Sequence, residues 1–577
     1  MIKRLAKSIR EYKKNAILSP VYVILEVVME VIIPIIMAKL IDNGIDAGNM
    51  NYVWKISGVL LVATLVSLTG GMLAGKHAAI ASAGFAKNLR QDMYYKVQEY
   101  SFSNIDKFSS ASIVTRLTTD VTNVQMAFQM IVRIAIRCPV MLVSSLIMAF
   151  SVNAKIALVF LAAIPILAIG LFAIMSHAHP IFERVFKTYD KLNRVVQENL
   201  YGIRVVKSFV REKEEEKKFE EVSESIFKGF SKAESLIALN GPLMQFCMYG
   251  CTLFISWFGA RLIVSHKMTT GELMSMLTYA IQILMSLMML SMVFVMIIIS
   301  RASCERIVEV LKEETDIHNN DQPIMDVANG EIVFENVGFS YCKDENKLSL
   351  MNVDFTIKSG ETVGIIGGTG SSKSSLVQLI PRLYDVTTGS IKVGGVDVRD
   401  YDIESLRNEV AMVLQKNVLF SGTIKENLRW GNEDATDEEI IRVCKLAQAD
   451  EFIQTFPDKY DTYIEQGGSN VSGGQKQRLC IARALLKKPK ILILDDSTSA
   501  VDTKTDALIR KAFLSEIPDT TKIIIAQRIS SVQDADKIVV MEGGKINAIG
   551  NHEELLANNA IYQEVYYSQM KGGIGDE

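Results

Sequence analysis

Residues Gly367 to Ser375 read GGTGSSKSS, and they directly follow the apolar run Thr362–Ile366. The helix-like segment SSLVQLI continues from this stretch. A strand that enters a glycine-rich turn and then a helix can cradle phosphate oxygens with its backbone N–H groups, while a lysine reaches the outer phosphates and a hydroxyl binds Mg²⁺. The stretch therefore predicts an α/β domain that binds the phosphates of a nucleotide and Mg²⁺ through Lys373 and Ser374.

One position in this loop departs from the common pattern G-x-x-x-x-G-K-[ST]. Ser372 stands where the last glycine belongs. Serine keeps the backbone N–H but adds a side chain, whereas glycine permits close approach of the backbone to phosphate. Because Lys373 and Ser374 remain, the loop is still expected to bind nucleotide. The residues predicted to bind it are Gly367, Thr369, Gly370, Ser371, Ser372, Lys373, Ser374 and Ser375.

Two further motifs follow in the second half of the chain. Ser472-Gly473-Gly474-Gln475 precedes the residues KQR, and its glycines expose backbone N–H groups at the start of a helix. Such groups suit the γ-phosphate of a bound nucleotide. Asp495 ends the apolar, strand-like run Ile491–Leu494, where a carboxylate can coordinate Mg²⁺ directly or through water. These motifs remove most of the risk that the first loop is a chance match.

The first half of the chain carries most of the apolar residues. The chain has 577 residues, of which 49% are apolar, and a formal net charge of −3. Its length predicts at least two domains, and its charge argues against binding nucleic acid. A helix that spans a membrane needs about 20 mostly apolar residues. Six such segments are predicted, at Ala16–Ile41, Ile56–Gly75, Cys138–Asn153, Ile156–Ser176, Ser235–Ala260 and Leu273–Ile299.

The loops between these segments predict the topology. The loops after the first, third and fifth spans are short, whereas those after the second and fourth are long and rich in lysine and arginine. Because lysine and arginine favour the cytosolic side of a membrane, the long loops and both termini are expected in the cytosol. The third span is short, so its helix is expected to extend through Arg133 and Arg137 in a protein-lined or interfacial setting.

These motifs and spans together resemble an ABC transporter half of the exporter type, over essentially the whole chain. The resemblance implies an α-helical six-span membrane domain at residues 1–310, a linker at 311–330 and an α/β P-loop ATPase (ABC) domain at 331–577. It also implies ATP-driven transport by a multi-pass protein of the cell membrane, with the ATPase domain in the cytosol. The stretches Ser112–Val121 and Glu198–Lys207 match cytosolic helices that contact the nucleotide-binding domains in this family.

The resemblance assigns roles to further residues. Tyr341 would stack on adenine. The residues implied in Mg²⁺ binding are Ser374, Gln415 and Asp495. The loop of Ser472, Gly473, Gly474 and Gln475 would complete the nucleotide site of a partner domain, so one such domain cannot form a working site by itself. The loop Ser499–Asp502 would lie at the interface between the two domains.

Two catalytic positions depart from the family's pattern. Asp496 stands in place of a glutamate that polarises the attacking water, and Gln527 stands in place of a histidine that contacts the γ-phosphate. Glutamine cannot carry the protonation chemistry of histidine, and a displacement of about 1 Å at a catalytic group can cost about 100-fold in rate. The chain therefore resembles the degenerate-site subunit of bacterial heterodimeric multidrug ABC exporters. Its partner is expected to keep the glutamate and the histidine.

Small amphiphilic molecules are the expected substrates of such a pair. Export of a lipid or a peptide is an alternative within the same class. A regulatory subunit that senses ATP and gates another membrane protein is an alternative of a different class. An importer would need an extracytoplasmic capture protein, and the sequence has no motif that would dock one.

Two acidic residues lie inside the first predicted span. Glu26 and Glu30 are four apart and therefore share one helix face. Charges at such depth are costly and usually face a cavity or a partner. The pair is interpreted either as a part of the substrate cavity that attracts cations or as a buried polar contact to another span. Cys247 and Cys251 are also four apart in an apolar segment, and they are expected to pack rather than to bind a metal.

Overall fold

The computed structural model describes residues 1–497 and 500–573. Contacts divide the chain into two compact units. The first unit contains Met1–Gln98 and Ser109–Glu313, and the second contains Glu99–Phe108 and Glu314–Glu577. Ser499, which begins a loop predicted at the interface between two ATPase domains, lies outside the described residues.

The first unit is built from long α-helices. From residue 2 to residue 312 the chain forms the helices α1 (Ile2–Ala6), α2 (Lys13–Leu40), α3 (Met50–Gln98), α4 (Phe102–Lys107), α5 (Ser110–Thr115), α6 (Val121–Val152), α7 (Ala154–Tyr201), α8 (Ile203–Ser208), α9 (Glu212–Ala238), α10 (Asn240–Val264) and α11 (Thr270–Lys312). Of these, the short helix α4 belongs to the second unit. Within the described residues, six helical stretches are long and apolar enough to cross a membrane: Ile2–Ile45, Met50–Gln98, Ser110–Val152, Ala154–Tyr201, Glu212–Val264 and Thr270–Lys312. The predicted six-span architecture is confirmed.

These helices extend well beyond the predicted spans. The sequence predicted a third span at Cys138–Asn153, whereas α6 begins at Val121 and runs without a break through Arg133 and Arg137. Hydropathy marks only the part of a helix that matches the apolar core of a bilayer. The polar turns of α6 are helical for a different reason, because they pack against other helices of the same unit.

Buried charges at the start of this helix show that packing. Asp120 is almost fully buried and accepts hydrogen bonds from Ser303 Oγ at 2.8 Å and from Arg306 Nε at 2.7 Å, both on α11. The stretch Ser112–Val121, which the sequence matched to helices that contact the ATPase domain, therefore lies within the first unit. The segment grouped with the second unit is Glu99–Phe108, which contains α4.

The second unit is an α/β domain. Its strands are β1 (Ile332–Phe339), β2 (Leu350–Ile357), β3 (Thr362–Gly367), β4 (Thr388–Val393), β5 (Val396–Asp397), β6 (Val410–Val413), β7 (Gly422–Thr423), β8 (Tyr463–Ile464), β9 (Ile491–Asp495), β10 (Thr521–Ile525), β11 (Lys537–Glu542) and β12 (Lys545–Gly550). Its helices after α4 are α12 (Lys373–Gln378), α13 (Ile403–Glu409), α14 (Ile424–Arg429), α15 (Asp437–Leu446), α16 (Asp450–Gln454), α17 (Gly473–Leu486), α18 (Thr503–Glu516), α19 (His552–Asn558) and α20 (Ala560–Gly573).

A six-stranded sheet in the order β12-β11-β3-β10-β9-β6 forms the centre of this domain. Its strands are parallel except β12, which pairs antiparallel with β11. Ile491 and Ile493 of β9 face one apolar core, and Leu492 and Leu494 face the other. Burial on both faces is typical of a parallel sheet, and the predicted α/β class is confirmed. The loops that follow β3, β9 and β10 meet at one edge, where parallel sheets bind ligands.

Candidate functional site

The phosphate loop follows β3 near the middle of the parallel sheet. Gly367 ends β3, and a Cβ at this position would overlap the Met541 carbonyl oxygen of β11, so the strand pairing itself requires glycine. Lys373 Nζ donates hydrogen bonds to the Gly367 and Gly368 carbonyl oxygens at 2.8 and 2.9 Å. Burial lowers the pKa of this ammonium, and neighbouring carboxylates raise it. The structure thus places the predicted lysine across the predicted loop.

The unusual serine of this loop has an unusual backbone conformation. Ser372 directly precedes α12 and has φ +67° and ψ +26°, in the left-handed region. A residue with a Cβ costs roughly 1–2 kcal/mol in this region, whereas glycine adopts it freely. The position at which the sequence departs from the common pattern is therefore one at which the backbone itself favours glycine.

Ser372→Gly is expected to raise the free energy of unfolding by about 1 kcal/mol, because glycine removes the cost of a positive φ. It is also expected to tighten ATP binding, because it removes a side chain beside the phosphates. Thermal unfolding and titration with a fluorescent ATP analogue measure the two effects on the full-length chain. Asn352→Gly is the matched control, since Asn352 has φ +48° in β2 and should change stability alone. Weaker ATP binding by the Ser372 variant would contradict the prediction.

Two predicted Mg²⁺ ligands meet at the edge of the sheet. Ser374 Oγ donates a hydrogen bond to Asp495 Oδ1 at 2.9 Å. Burial raises the pKa of Asp495, and the Ser374 hydrogen bond lowers it. Hydroxyl and carboxylate oxygens are the hard donors that Mg²⁺ prefers, so this donor set fits the ion. Gln415, the third predicted ligand, follows β6 and is exposed, and no hydrogen bond joins it to the other two within the described ranges.

The two residues predicted to stand at altered catalytic positions lie in contact. Gln527 Nε2 donates a hydrogen bond to Asp496 Oδ2 at 2.7 Å. They meet because β9 and β10 are parallel neighbours with Asp495 opposite Ile525, so the residues after each strand end at the same edge. Asp496 has φ +47°, and its N–H donates to the Ile525 carbonyl oxygen at 3.0 Å. The Asp496 side chain and backbone are therefore held by the Gln527 amide and by the backbone of β10.

Tyr341, the residue predicted to stack on adenine, packs against other aromatic rings on one side. Tyr341 packs edge-on against Phe339 and Tyr384, with ring centroids 4.7 and 5.3 Å apart. Its hydroxyl lies 2.8 Å from Ser375 Oγ, a predicted phosphate-loop residue. About half of Tyr341 remains exposed, which leaves a surface on which a base can stack. Tyr384 was missed in the sequence, because it belongs to no motif and its role follows only from packing.

The loop of Ser472, Gly473, Gly474 and Gln475 forms the start of α17. Ser472 Oγ accepts a hydrogen bond from Gln475 N–H at 3.3 Å, and Gln475 Oε1 accepts one from Ser472 N–H at 2.9 Å. This capping box fixes the first turn of the helix. A Cβ on Gly474 would lie 2.8 Å from the Ala500 carbonyl oxygen, so a larger residue is excluded. The described residues show no hydrogen bond between this loop and the phosphate loop of the same chain.

The two carboxylates of the first span share one cation. Arg137 of α6 donates hydrogen bonds to Glu26, and to both carboxylate oxygens of Glu30 at 2.7 and 2.8 Å. Glu26 and Glu30 also line a cavity of about 730 Å³ between α2, α3 and α6. The structure therefore supplies the polar contact to another span, and it also places both residues at a cavity. Arg137 was not recognised in the sequence as their partner.

Comparisons with known proteins agree with this geometry. Residues 16–302 match the family described as the ABC transporter transmembrane region, and residues 350–499 match the ABC transporter family. The chain is 37% identical over 562 residues to the uncharacterised ABC transporter ATP-binding protein YfiB of Bacillus subtilis, covering 97% of each. It is 32% identical over 477 residues to a fatty acid ABC transporter ATP-binding/permease protein of Mycobacterium bovis, covering 83% of this chain and 75% of that protein. Its fold is similar to that of a bacterial Atm1-family ABC exporter with ATP bound, with a TM-score of 0.83, 23% identity and coverage of 97% and 99%.

Proposed function

This chain belongs to the ABC transporters and couples ATP hydrolysis to transport, and we propose that it is the degenerate-site half of a heterodimeric exporter. The observation that carries the proposal is the hydrogen bond between Gln527 and Asp496, beside a fully formed capping box at Ser472. In this proposal the chain's own ATP site is weak in catalysis. Its Ser472–Gln475 loop completes the site of a partner that keeps the glutamate and the histidine.

The weak catalysis follows from the chemistry of the altered pair. A general base must lie within hydrogen-bond reach of the water it activates. Asp496 is one methylene shorter than glutamate, and one of its oxygens accepts the Gln527 amide. Glutamine is neutral and does not titrate, so it cannot supply the charge or the proton of a histidine. Binding of ATP is retained, because the residues that hold phosphate are separate from this pair.

Different residues of this chain are proposed to bind different parts of the nucleotide. In the proposal, Tyr341 stacks on the base, Lys373 holds the outer phosphates, and the hydroxyl of Ser374 and the carboxylate of Asp495 hold Mg²⁺. The ion, when bound, offsets the negative charge of the phosphates. Gln415 follows an adjacent strand and would contribute a further oxygen. The ATPase domain would lie in the cytosol with both termini, as the basic long loops indicate.

Purified alone, the chain is expected to hydrolyse ATP slowly, and co-expression with its partner half is expected to restore turnover. The physical reason is that, without the partner half, the Ser472–Gln475 loop can only complete the degenerate site of a second copy of the same chain. ATPase rates of the chain alone, the partner alone and the co-purified pair in liposomes test this directly. Turnover by the isolated chain that equals that of the pair would exclude the proposed division of labour.

The substrate is proposed to be a small amphiphile of the multidrug type, and a lipid-like substrate is the second candidate. The second candidate is favoured by similarity to the Mycobacterium bovis protein, which is described as a fatty acid transporter. A regulatory subunit would bind ATP without moving a substrate. Stimulation of the pair's ATPase by amphiphiles separates transport from regulation, and comparison of drugs with long-chain lipids separates the two substrate classes.

A further inference from the structure

We propose that the cavity between α2, α3 and α6 binds amphiphiles through an anionic headgroup, an inference that rests on the proposed transport function. The cavity holds about 730 Å³. The residues that line it include the charged Glu26, Glu30, Lys76 and Arg133 and the apolar Leu68 and Met72. Charged and apolar side chains both line it, which matches a molecule with a headgroup and a chain.

The charges of the cavity favour an anion over a cation. Glu26 and Glu30 already share Arg137, so the cation that these carboxylates attract is a part of the protein. Arg133 and Lys76 line the cavity, and no hydrogen bond or ion pair of either is found in the described parts of the chain. With Arg137 they make three cations against two carboxylates. The positive groups without a partner are thus the ones available to a ligand.

An arginine without a partner inside a membrane-spanning helix is costly, and such residues mark binding sites or pathways. Arg133 is half-buried and lies on α6 one helical turn before Arg137. Its planar guanidinium presents several N–H donors in a geometry that matches carboxylate and phosphate oxygens. The cost of placing it there is offset when an anionic group binds to it.

Two glycines of α3 let charged groups of the cavity approach that helix closely. Glu26 is only 7% exposed, and its Oε2 atom has no hydrogen-bond partner in the described structure. A Cβ on Gly71 would lie 3.0 Å from Glu26 Oε1, and a Cβ on Gly75 would lie 3.5 Å from Arg133 Nη1. Gly71 and Gly75 are one turn apart, about 6 Å along α3. Glu26 and Arg133 therefore lie beside successive turns of α3, and Arg133 is the one of the two without a hydrogen-bond partner among the described residues.

The rest of the cavity suits an alkyl chain. Ile33 of α2 and Leu68 and Met72 of α3 line it together with the charged groups. Leu68 and Met72 are both more than half exposed, so their apolar surface is available for contact. Burial of one methylene contributes about 0.8 kcal/mol, so a chain of several carbons adds affinity that the headgroup alone lacks.

Calorimetry of dodecyl phosphate binding to the full-length chain tests the inference. The chain is co-purified with its partner half and placed in nanodiscs. Arg133→Gln is expected to weaken binding by about tenfold to a hundredfold, the range for loss of a charged hydrogen bond. Lys76→Gln is expected to weaken it less, because Lys76 is exposed. Lys155→Gln, which removes an exposed cation at the start of α7 outside the cavity, should leave binding unchanged. Arg133→Lys, which keeps the charge, should bind more tightly than Arg133→Gln and guards against a folding defect.

Three further ligands test whether the cavity requires an anionic headgroup and an alkyl chain. Inorganic phosphate should bind much more weakly than dodecyl phosphate, and equal affinity would show an anion site without an amphiphile site. Dodecyltrimethylammonium should bind more weakly than dodecyl phosphate, and Arg133→Gln should not weaken its binding. Tighter binding of this cation, lost in Glu26→Gln, would overturn the proposal. Dodecyl maltoside, which has the same alkyl chain and an uncharged headgroup, measures how much affinity remains without a charged headgroup. These titrations measure binding and do not depend on ATP hydrolysis. A pair that is inactive in transport would therefore contradict the proposed function, while the titrations would still show which ligand the cavity prefers.

Discussion

Ser472→Ala or Gly474→Asp in this chain is expected to lower the ATPase rate of the reconstituted pair by about 100- to 1000-fold, the usual cost of losing one preorganised donor to developing charge. Both residues belong to the loop proposed to complete the partner's hydrolytic site. Gly474→Asp has a second effect, because a Cβ there would lie 2.8 Å from the Ala500 carbonyl oxygen. Asp496→Asn, which changes the chain's own degenerate site, is expected to reduce the rate only modestly.

The Ser472 variant needs a control, since this residue also caps α17. Loss of an N-cap costs about 1 kcal/mol of stability. Thr436→Ala removes an equivalent cap, because the Thr436 side chain accepts from Glu439 N–H at 3.2 Å at the start of α15. It should lower stability by a similar amount and leave the ATPase rate nearly unchanged. If Asp496→Asn proves more damaging than Ser472→Ala in the same pair, this chain carries the main hydrolytic site and the assignment is reversed.

The nucleotide site could be predicted from the sequence because each of its parts is local. Lys373 and Ser374 lie in one short loop, and Asp495 ends one apolar strand. Their meeting also follows from the sequence, since parallel strands bring their carboxyl ends to one edge of a sheet. The hydrogen bond between Ser374 and Asp495 joins residues 121 positions apart, yet β3, β10 and β9 are adjacent and place them together.

The membrane unit could be predicted only in outline. Hydropathy identifies helices by length and composition, but it does not tell how each helix is rotated about its axis. Arg137 lies 111 residues from Glu26, and their pairing depends on the relative rotation of α2 and α6. The same limit applies to Asp120, whose burial against α11 is a property of two helices together. The matched stretch Ser112–Val121 therefore indicated a cytosolic helix but not the surface that it packs against.

Arg137→Met is expected to lower the free energy of unfolding by up to about 3 kcal/mol, the lower end of the cost of breaking a buried ion pair, because Arg137 and Glu30 are about a quarter exposed. The reason is that Glu26 and Glu30 would then be left in a membrane-spanning region without their shared cation. Thermal unfolding of the purified pair in detergent measures the change. Arg261→Met, at an exposed arginine of α10, is the matched control and should have little effect.

A triple variant separates the ion network from simple loss of packing. Glu26→Gln and Glu30→Gln added to Arg137→Met leave no uncompensated charge, so the triple variant is expected to be more stable than Arg137→Met alone. Replacement of a whole buried ion group by uncharged residues is often neutral, whereas removal of one member is not. Equal stability of the single and triple variants would mean that Arg137 acts through its packed volume. The carboxylates would then be free to attract a cationic substrate, which would also reverse the charge preference proposed for the cavity.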